Sequence, residues 1–129
     1  MKEAELYKFL QSKIPDVQMM KYKYSYFDCI SHSKKYLIEL KCRKTHYDKL
    51  LIERSKYDKM IETSNQLNYK PAYVNSTPNG IFWFWLSAEP QWEKRQMPES
   101  TDFNRNDVID KEVGYLHIKD SVVINKVRT

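Results

Sequence analysis

Apolar residues recur at steps of three and four positions in two parts of the chain, which is the period of an amphipathic helix. Near the amino end, this pattern predicts a helix over residues 3–14, which ends before Pro15. A second and clearer stripe predicts a longer helix over residues 48–68. Its members are Leu50, Tyr57, Met60, Ile61, Ser64 and Leu67. Charged residues lie off this second stripe, so one face of that helix is expected to be buried.

β-Branched and aromatic residues dominate the segment between these helices, and neither glycine nor proline interrupts it. The segment predicts three strands, over residues 17–24, 26–31 and 36–42, with a polar turn between the last two. Two further strands, over residues 71–76 and 81–87, flank an Asn-Gly dipeptide, which is typical of tight hairpins. The alternation of helices and strands predicts an α/β protein.

A polar segment with two prolines follows these strands, and we interpret residues 88–112 as a long loop. Alternating apolar residues over 115–127 then predict one or two edge strands. The chain has 129 residues, which is the size of one ordinary domain. We therefore expect a single domain that spans residues 1–129.

The composition narrows the class of protein without identifying a function. Hydrophobic residues, aromatic ones included, make up 41% of the chain, which is too many for a disordered protein. The net charge of +5 permits nucleic acid as a partner and does not require it. No apolar run approaches the roughly 20 residues that span a bilayer, and the first residues lack the apolar core of a secretion signal. We therefore expect a cytoplasmic protein without membrane association.

Acidic residues on two neighbouring predicted strands would meet on one face of a hairpin. A turn at Ser33-Lys34 places Asp28 directly opposite Glu39, with Cβ atoms about 4.5–5.5 Å apart. Lys41 follows Glu39 by two positions and shares that face. Opposed like charges destabilise a strand pair, so a cation is expected, and Mg²⁺ fits because one or two carboxylates bind it. The alternative is a structural pair of Glu39 and Lys41 beside an exposed Asp28.

Asp28, followed by Glu39-Leu40-Lys41 as an E-x-K triplet within the order α-β-β-β-α-β, resembles the PD-(D/E)XK nuclease superfamily. The resemblance covers residues 3–76, and the chain departs from the family pattern at Phe27, where the family name has proline. It implies a restriction-endonuclease-like α/β fold, in which α-helices flank a central mixed β-sheet. The layout also resembles small phage-encoded proteins of this kind.

The resemblance implies a role for each residue of this motif. Asp28 and Glu39 would bind Mg²⁺, with Mn²⁺ as a substitute, and the backbone carbonyl of Leu40 would complete the ligands. Lys41 would be the catalytic lysine that orients the attacking water and stabilises charge on the phosphate. Some branches add a metal-binding glutamate from the first helix, where Glu3 fits. The other interpretation of Glu3 is an acid favoured by the helix macrodipole.

Basic residues beside the proposed site are candidates for binding nucleic acid. Arg43 and Lys44 follow the E-x-K strand directly and would contact phosphates. The alternative for this pair is an ordinary solvated turn. Lys56 on the second predicted helix is a further candidate, because some branches of the family use a polar residue from that helix.

Together these residues predict a metal-dependent nuclease, foremost a DNA endonuclease, with RNA as the alternative substrate. Cutting both strands of a duplex takes two copies of one site, so a homodimer is expected. If the protein is phage-encoded, it would act in the cytoplasm of the host cell. Two other functions stay open on the same fold: a non-cleaving nucleic-acid-binding module and a module that inhibits another protein. The sequence leaves open the form of the substrate, any sequence specificity, and whether cleavage is endonucleolytic or exonucleolytic.

Overall fold

The computed structural model describes residues 1–20, 27–98 and 108–126. Within these residues the helices are α1 (Glu3–Lys13) and α2 (Arg54–Leu67), with a short 3-10 helix over Ile118–Asp120. Neither α-helix of this part of the chain has the length and apolar character needed to cross a membrane. The strands are β1 (Gln18–Met19), β2 (Cys29–Ser31), β3 (Tyr36–Cys42), β4 (Lys49–Glu53), β5 (Lys70–Thr77), β6 (Gly80–Trp85), β7 (Glu93–Pro98), β8 (Val108–His117) and β9 (Val122–Lys126).

Six of these strands form a central sheet in the order β1-β2-β3-β5-β6-β9. β3 and β5 are parallel, and the other neighbouring pairs are antiparallel, so the sheet is mixed. A parallel pair needs a long crossover connection, and β4 with α2 supplies it. The other three strands form an antiparallel second sheet in the order β4-β8-β7.

The two faces of the central sheet are covered by different helices. Leu6 of α1 belongs to a buried cluster that includes Leu40 on one face of β3. Tyr57 of α2 belongs to a second buried cluster, which includes Leu37 on the other face. Side chains alternate along a strand, so Glu39 lies on the face covered by α2. The carboxylate is thereby enclosed between the sheet and a helix.

A central mixed sheet flanked by helices confirms the expected α/β fold class. β3 occupies the predicted residues 36–42, and α1 begins where it was predicted. β2 pairs with β3 in the predicted register, with Cys29 opposite Ile38 and Ile30 opposite Leu37. β2 begins at Cys29, because Phe27 and Asp28 form a bend. Of the strand predicted over 17–24, β1 covers Gln18–Met19, and residues 21–26 lie outside the described residues.

The helix predicted over residues 48–68 is wrong at its start. Residues Lys49–Glu53 form β4, which pairs with β8, and α2 begins only at Arg54. Leu50 and Ile52 are buried whereas their neighbours are more exposed, which is the alternation of a strand. Leu50 fits both this alternation and the helical stripe, so the sequence pattern did not separate the two.

The loop predicted over residues 88–112 is wrong for much of its length. β7 covers Glu93–Pro98 and β8 begins at Val108, while residues 99–107 lie outside the described residues. The first four residues of β7 are polar and exposed. They therefore lack the alternation of apolar and polar residues that predicts a strand. The second sheet was therefore not expected from the sequence.

The predicted strands after the second helix are present, with two corrections. Pro78 and Asn79 form the hairpin turn, and Thr77 pairs with Gly80, which starts β6. Gly80 has φ +148°, and a Cβ atom there would lie 2.2 Å from the carbonyl oxygen of Asn125 in β9. Residues 115–127 divide between the end of β8, a central strand of the second sheet, and β9, an edge strand. Residue 127 itself lies outside the described residues.

Candidate active site

Asp28 is held in place by hydrogen bonds with backbone groups of β3. Its N–H donates to the carbonyl of Ile38 at 3.0 Å, and its Oδ2 accepts a hydrogen bond from the N–H of Leu40 at 2.8 Å. The carboxylate thus replaces a backbone partner of β3 directly before β2 begins. This contact holds Asp28 beside Glu39, which is the position that the register of the hairpin predicts.

Glu39 is a buried acid beside a second acid. Only 6% of the residue is exposed. Burial raises the pKa of Glu39 to about 7, and a hydrogen bond with Asp28 and the charge of Asp28 act in the same direction. Lys56 opposes these effects. Burial and the neighbouring acid thus both disfavour the ionised form of Glu39.

Lys56 enters this site from the first turn of α2. Its ammonium group forms a close ion pair with Oε2 of Glu39. Burial alone would lower the pKa of Lys56, but the hydrogen bond with Glu39 and the charge of Glu39 raise it. The sequence suggested Lys56 for nucleic-acid binding, whereas the structure places it against a proposed metal ligand. The sequence pointed to Lys56 only through the family resemblance, because some branches use a polar residue from this helix.

Glu3 approaches the same site from the start of α1. Burial raises the pKa of Glu3, the charge of Asp28 raises it further, and Lys56 lowers it. Glu3 is therefore within electrostatic reach of both residues. Glu5 has a different role, because its Oε1 accepts a hydrogen bond from the backbone N–H of Lys2 at 3.2 Å. The structure thus brings Glu3, and not Glu5, toward the carboxylate pair.

Leu40 and Lys41 complete the E-x-K triplet at the end of β3. The backbone N–H and carbonyl of a strand residue point toward the same neighbouring strand. Because the N–H of Leu40 points to Asp28, its carbonyl points to that side as well. The side chain of Lys41 shares the face of Glu39, is exposed, and makes no hydrogen bond or ion pair with other described residues.

The two basic residues after the triplet differ in their surroundings. Arg43 is partly buried, and its Nε donates to Oδ1 of Asn75 at 2.8 Å. Its Nη2 donates to the Leu51 carbonyl at 2.7 Å and to the Tyr73 hydroxyl at 3.3 Å. Arg43 therefore joins the central sheet to the second sheet. Lys44 is exposed and makes no hydrogen bond or ion pair with the described part of the chain.

The donor set suits a hard cation that keeps part of its water shell. Among the described residues, no three His, Cys, Asp or Glu side chains are arranged to hold a metal ion. Mg²⁺ needs fewer protein ligands, because one or two carboxylates and several waters bind it. The adjacent Asp28 and Glu39 carboxylates and the Leu40 carbonyl match this requirement. The charge of Asp28, which helps to raise the pKa of Glu39, is one that a bound cation would offset.

Comparison with known proteins identifies the fold. No protein-family model matches the chain, and no curated protein matches it either. The structure of Hjc, a Holliday junction resolvase from Archaeoglobus fulgidus, superposes with a TM-score of 0.61 at 10% sequence identity. The match covers 96% of this chain and 93% of the resolvase. The chain therefore has the fold of this resolvase along nearly its whole length.

Proposed function

We propose that the protein is a Mg²⁺-dependent nuclease that hydrolyses phosphodiester bonds in DNA. The observation that carries this proposal is the buried Glu39 beside the partly buried Asp28, with two lysines next to them, on the fold of a Holliday junction resolvase. A purely structural protein would gain nothing from two carboxylates held together in a buried strand pair. A metal-dependent nuclease needs such a pair.

The residues of the site divide the work of hydrolysis. Asp28, Glu39 and the Leu40 carbonyl would hold Mg²⁺, which lowers the pKa of bound water and neutralises charge on the phosphate. Lys41 is exposed on the same face, where its amine would orient the attacking water and stabilise charge that develops on the phosphate. Lys56 favours the ionised form of Glu39, because its ammonium opposes the effects that raise the pKa of this carboxyl. Glu3 would bind a water of the metal.

Two lysines therefore have different proposed roles, which kinetics can separate. Lys41→Met removes a group that acts on the phosphate, so cleavage is expected to fall about a hundredfold or more at every pH. Lys56→Met leaves Glu39 without its cation, so the pKa of Glu39 is expected to rise. Cleavage by this variant is then expected to recover as the pH is raised. Exposed Lys34, in the β2–β3 turn of the same hairpin, is the matched control, and Lys34→Met is expected to cleave like the wild type.

The form of the substrate requires a direct cleavage assay. Linear, supercoiled and branched DNA and a structured RNA are incubated with Mg²⁺ or Mn²⁺, and the products are separated by electrophoresis. We expect cleavage of DNA that is abolished by EDTA and by Glu39→Ala. DNA binding that survives EDTA and Glu39→Ala without any cleavage would contradict the proposal and favour a non-cleaving nucleic-acid-binding module.

Cleavage of both strands of a duplex would require a second active site, so we also propose that the protein acts on duplex DNA as a homodimer. Sedimentation of a catalytically inactive variant bound to duplex DNA measures the number of protein copies on the DNA. One copy per duplex, together with cleavage of both strands by the wild type, would contradict the proposal.

A further inference from the structure

A basic groove opens between the end of β3 and the outer face of the second sheet. Its volume is about 500 Å³. The residues that line this basic groove are Arg43, Tyr47, Lys49, Leu51, Arg95 and Tyr115. Three of them are cations and two are tyrosines, and no carboxylate is among these lining residues. Its charge therefore suits a polyanion.

The fold holds two of the three cations in place without a ligand. Arg43 is fixed by its bond to the Leu51 carbonyl at 2.7 Å, at the junction of the two sheets. Arg95 donates from Nη1 to the hydroxyl of Tyr115 at 3.1 Å, across the β7–β8 pair. Such preorganised donors lose little entropy when they bind phosphate.

Two further residues of the basic groove are exposed and available. Tyr47 is 60% exposed, which is high for a large aromatic side chain. The side chains of Tyr47 and Lys49 make no hydrogen bond or ion pair with the described residues. An exposed aromatic ring beside cations is the combination with which proteins stack unpaired bases while they neutralise the backbone.

The basic groove continues from the candidate active site along the chain. Arg43 follows Lys41 by two residues, and its N–H donates to the Ser76 carbonyl at 2.8 Å, so the backbone stays extended. Glu39 and Arg43 are thus separated by about 14 Å, at roughly 3.4 Å per strand residue. A strand of a few nucleotides spans that distance, because the rise per nucleotide is about 3.4 Å in B-form DNA and larger in an extended single strand. One nucleic-acid strand can therefore occupy both places.

We propose that the basic groove binds an unpaired strand of nucleic acid next to the cleavage site. Phosphates would contact Lys49 and Arg95, and a base would stack on Tyr47. The volume is that of a small-molecule site and suits about one or two nucleotides, whereas a duplex is far wider. This inference rests on the proposed nuclease function and narrows its substrate to DNA that carries a single-stranded arm.

Binding in EDTA tests the basic groove separately from cleavage. Fluorescence anisotropy compares a labelled oligothymidine of about 12 nucleotides with a duplex of the same length. The variants are Tyr47→Ala, Lys49→Ala and Arg95→Ala. The matched control is Lys94→Ala, because Lys94 precedes Arg95 and lies on the opposite face of β7. All four side chains are exposed, and melting temperatures verify that each variant is folded.

We expect the wild type to bind the single strand more tightly than the duplex. Tyr47→Ala is expected to weaken single-strand binding about fivefold or more through lost stacking. Lys49→Ala and Arg95→Ala are expected to weaken it and to reduce the slope of log K against log salt by about 0.7 each. Lys94→Ala is expected to bind like the wild type.

Two results would overturn the inference: equal or weaker binding of the single strand, or folded groove variants that bind it as the wild type does. A protein that cuts DNA and shows either result remains a nuclease and loses the groove assignment. A protein that binds single strands through these residues, yet cuts no nucleic acid, keeps the groove and contradicts the nuclease function. The two proposals can therefore fail independently.

Discussion

Replacing Glu39 by glutamine is expected to stabilise the metal-free protein at neutral pH. The substitution keeps the size of the side chain and removes its charge. Glu39 is buried beside Asp28, so its ionised form is disfavoured in the folded protein. Glutamine still offers an oxygen that can accept a hydrogen bond from Lys56.

The size of the effect follows from the pKa of Glu39, which folding raises from 4.5 to about 7. Each unit of pKa difference corresponds to about 1.36 kcal/mol, so the total is about 3 kcal/mol. Because folding raises the pKa of Glu39, the wild type has its full stability below pH 4.5 and loses it progressively, by about 3 kcal/mol in all, as the pH rises through about 7. Glu39→Gln does not ionise and loses nothing over this range.

Chemical unfolding in EDTA at pH 4 and at pH 8 measures the difference. The variant is expected to be close to the wild type at pH 4 and about 3 kcal/mol more stable at pH 8. Mg²⁺ is expected to stabilise the wild type at pH 8 and to leave the variant unchanged. A variant that gains no stability at pH 8, or gains the same amount at both pH values, would refute the reasoning. If removing the charge of Glu39 stabilises the protein, then this charge serves function rather than stability.

Three further substitutions test contacts that stabilise the fold. Arg43→Ala is expected to lower the free energy of unfolding by about 3 kcal/mol, because it removes the hydrogen-bond donor of the buried Oδ1 of Asn75, and urea unfolding measures this. The hydroxyl of Ser31 lowers the pKa of Asp16 to about 2, so the wild type should lose stability between pH 3.8 and about 2, whereas Asp16→Asn should not. Equal acid sensitivity of the two proteins would contradict that linkage. Gly80→Ala is expected to cost more than about 1 kcal/mol in a thermal melt, since its Cβ would collide with the backbone of β9, and an unchanged melting temperature would refute the collision.

The hairpin that carries the acidic pair was predictable because local rules determine it. β-Branched and aromatic residues without glycine or proline predicted the strand of residues 36–42, and the polar turn set the register. Once the register was set, Asp28 and Glu39 had to share a face. Side chains alternate along a strand, so Lys41, two residues after Glu39, lies on that face as well.

The residues that sequence reasoning misplaced depend on contacts between distant parts of the chain. Lys56 meets Glu39 only because α2 packs across the face of β3 that holds this acid. Arg43 is a partly buried anchor because β4 lies beside it, and the sequence pattern predicts a helix at the residues of β4. β7 was missed because an exposed strand needs no apolar side chains.

The central claim is that Asp28 and Glu39 form the metal site of a nuclease. Its most direct test is the rate at which wild type and Asp28→Asn cleave branched DNA, with Mg²⁺ and with EDTA, at excess protein. The account predicts cleavage by the wild type that requires Mg²⁺, and a loss of at least about a hundredfold in Asp28→Asn, although the variant stays folded. Cleavage by Asp28→Asn at the wild-type rate, or by the wild type in EDTA, would contradict it.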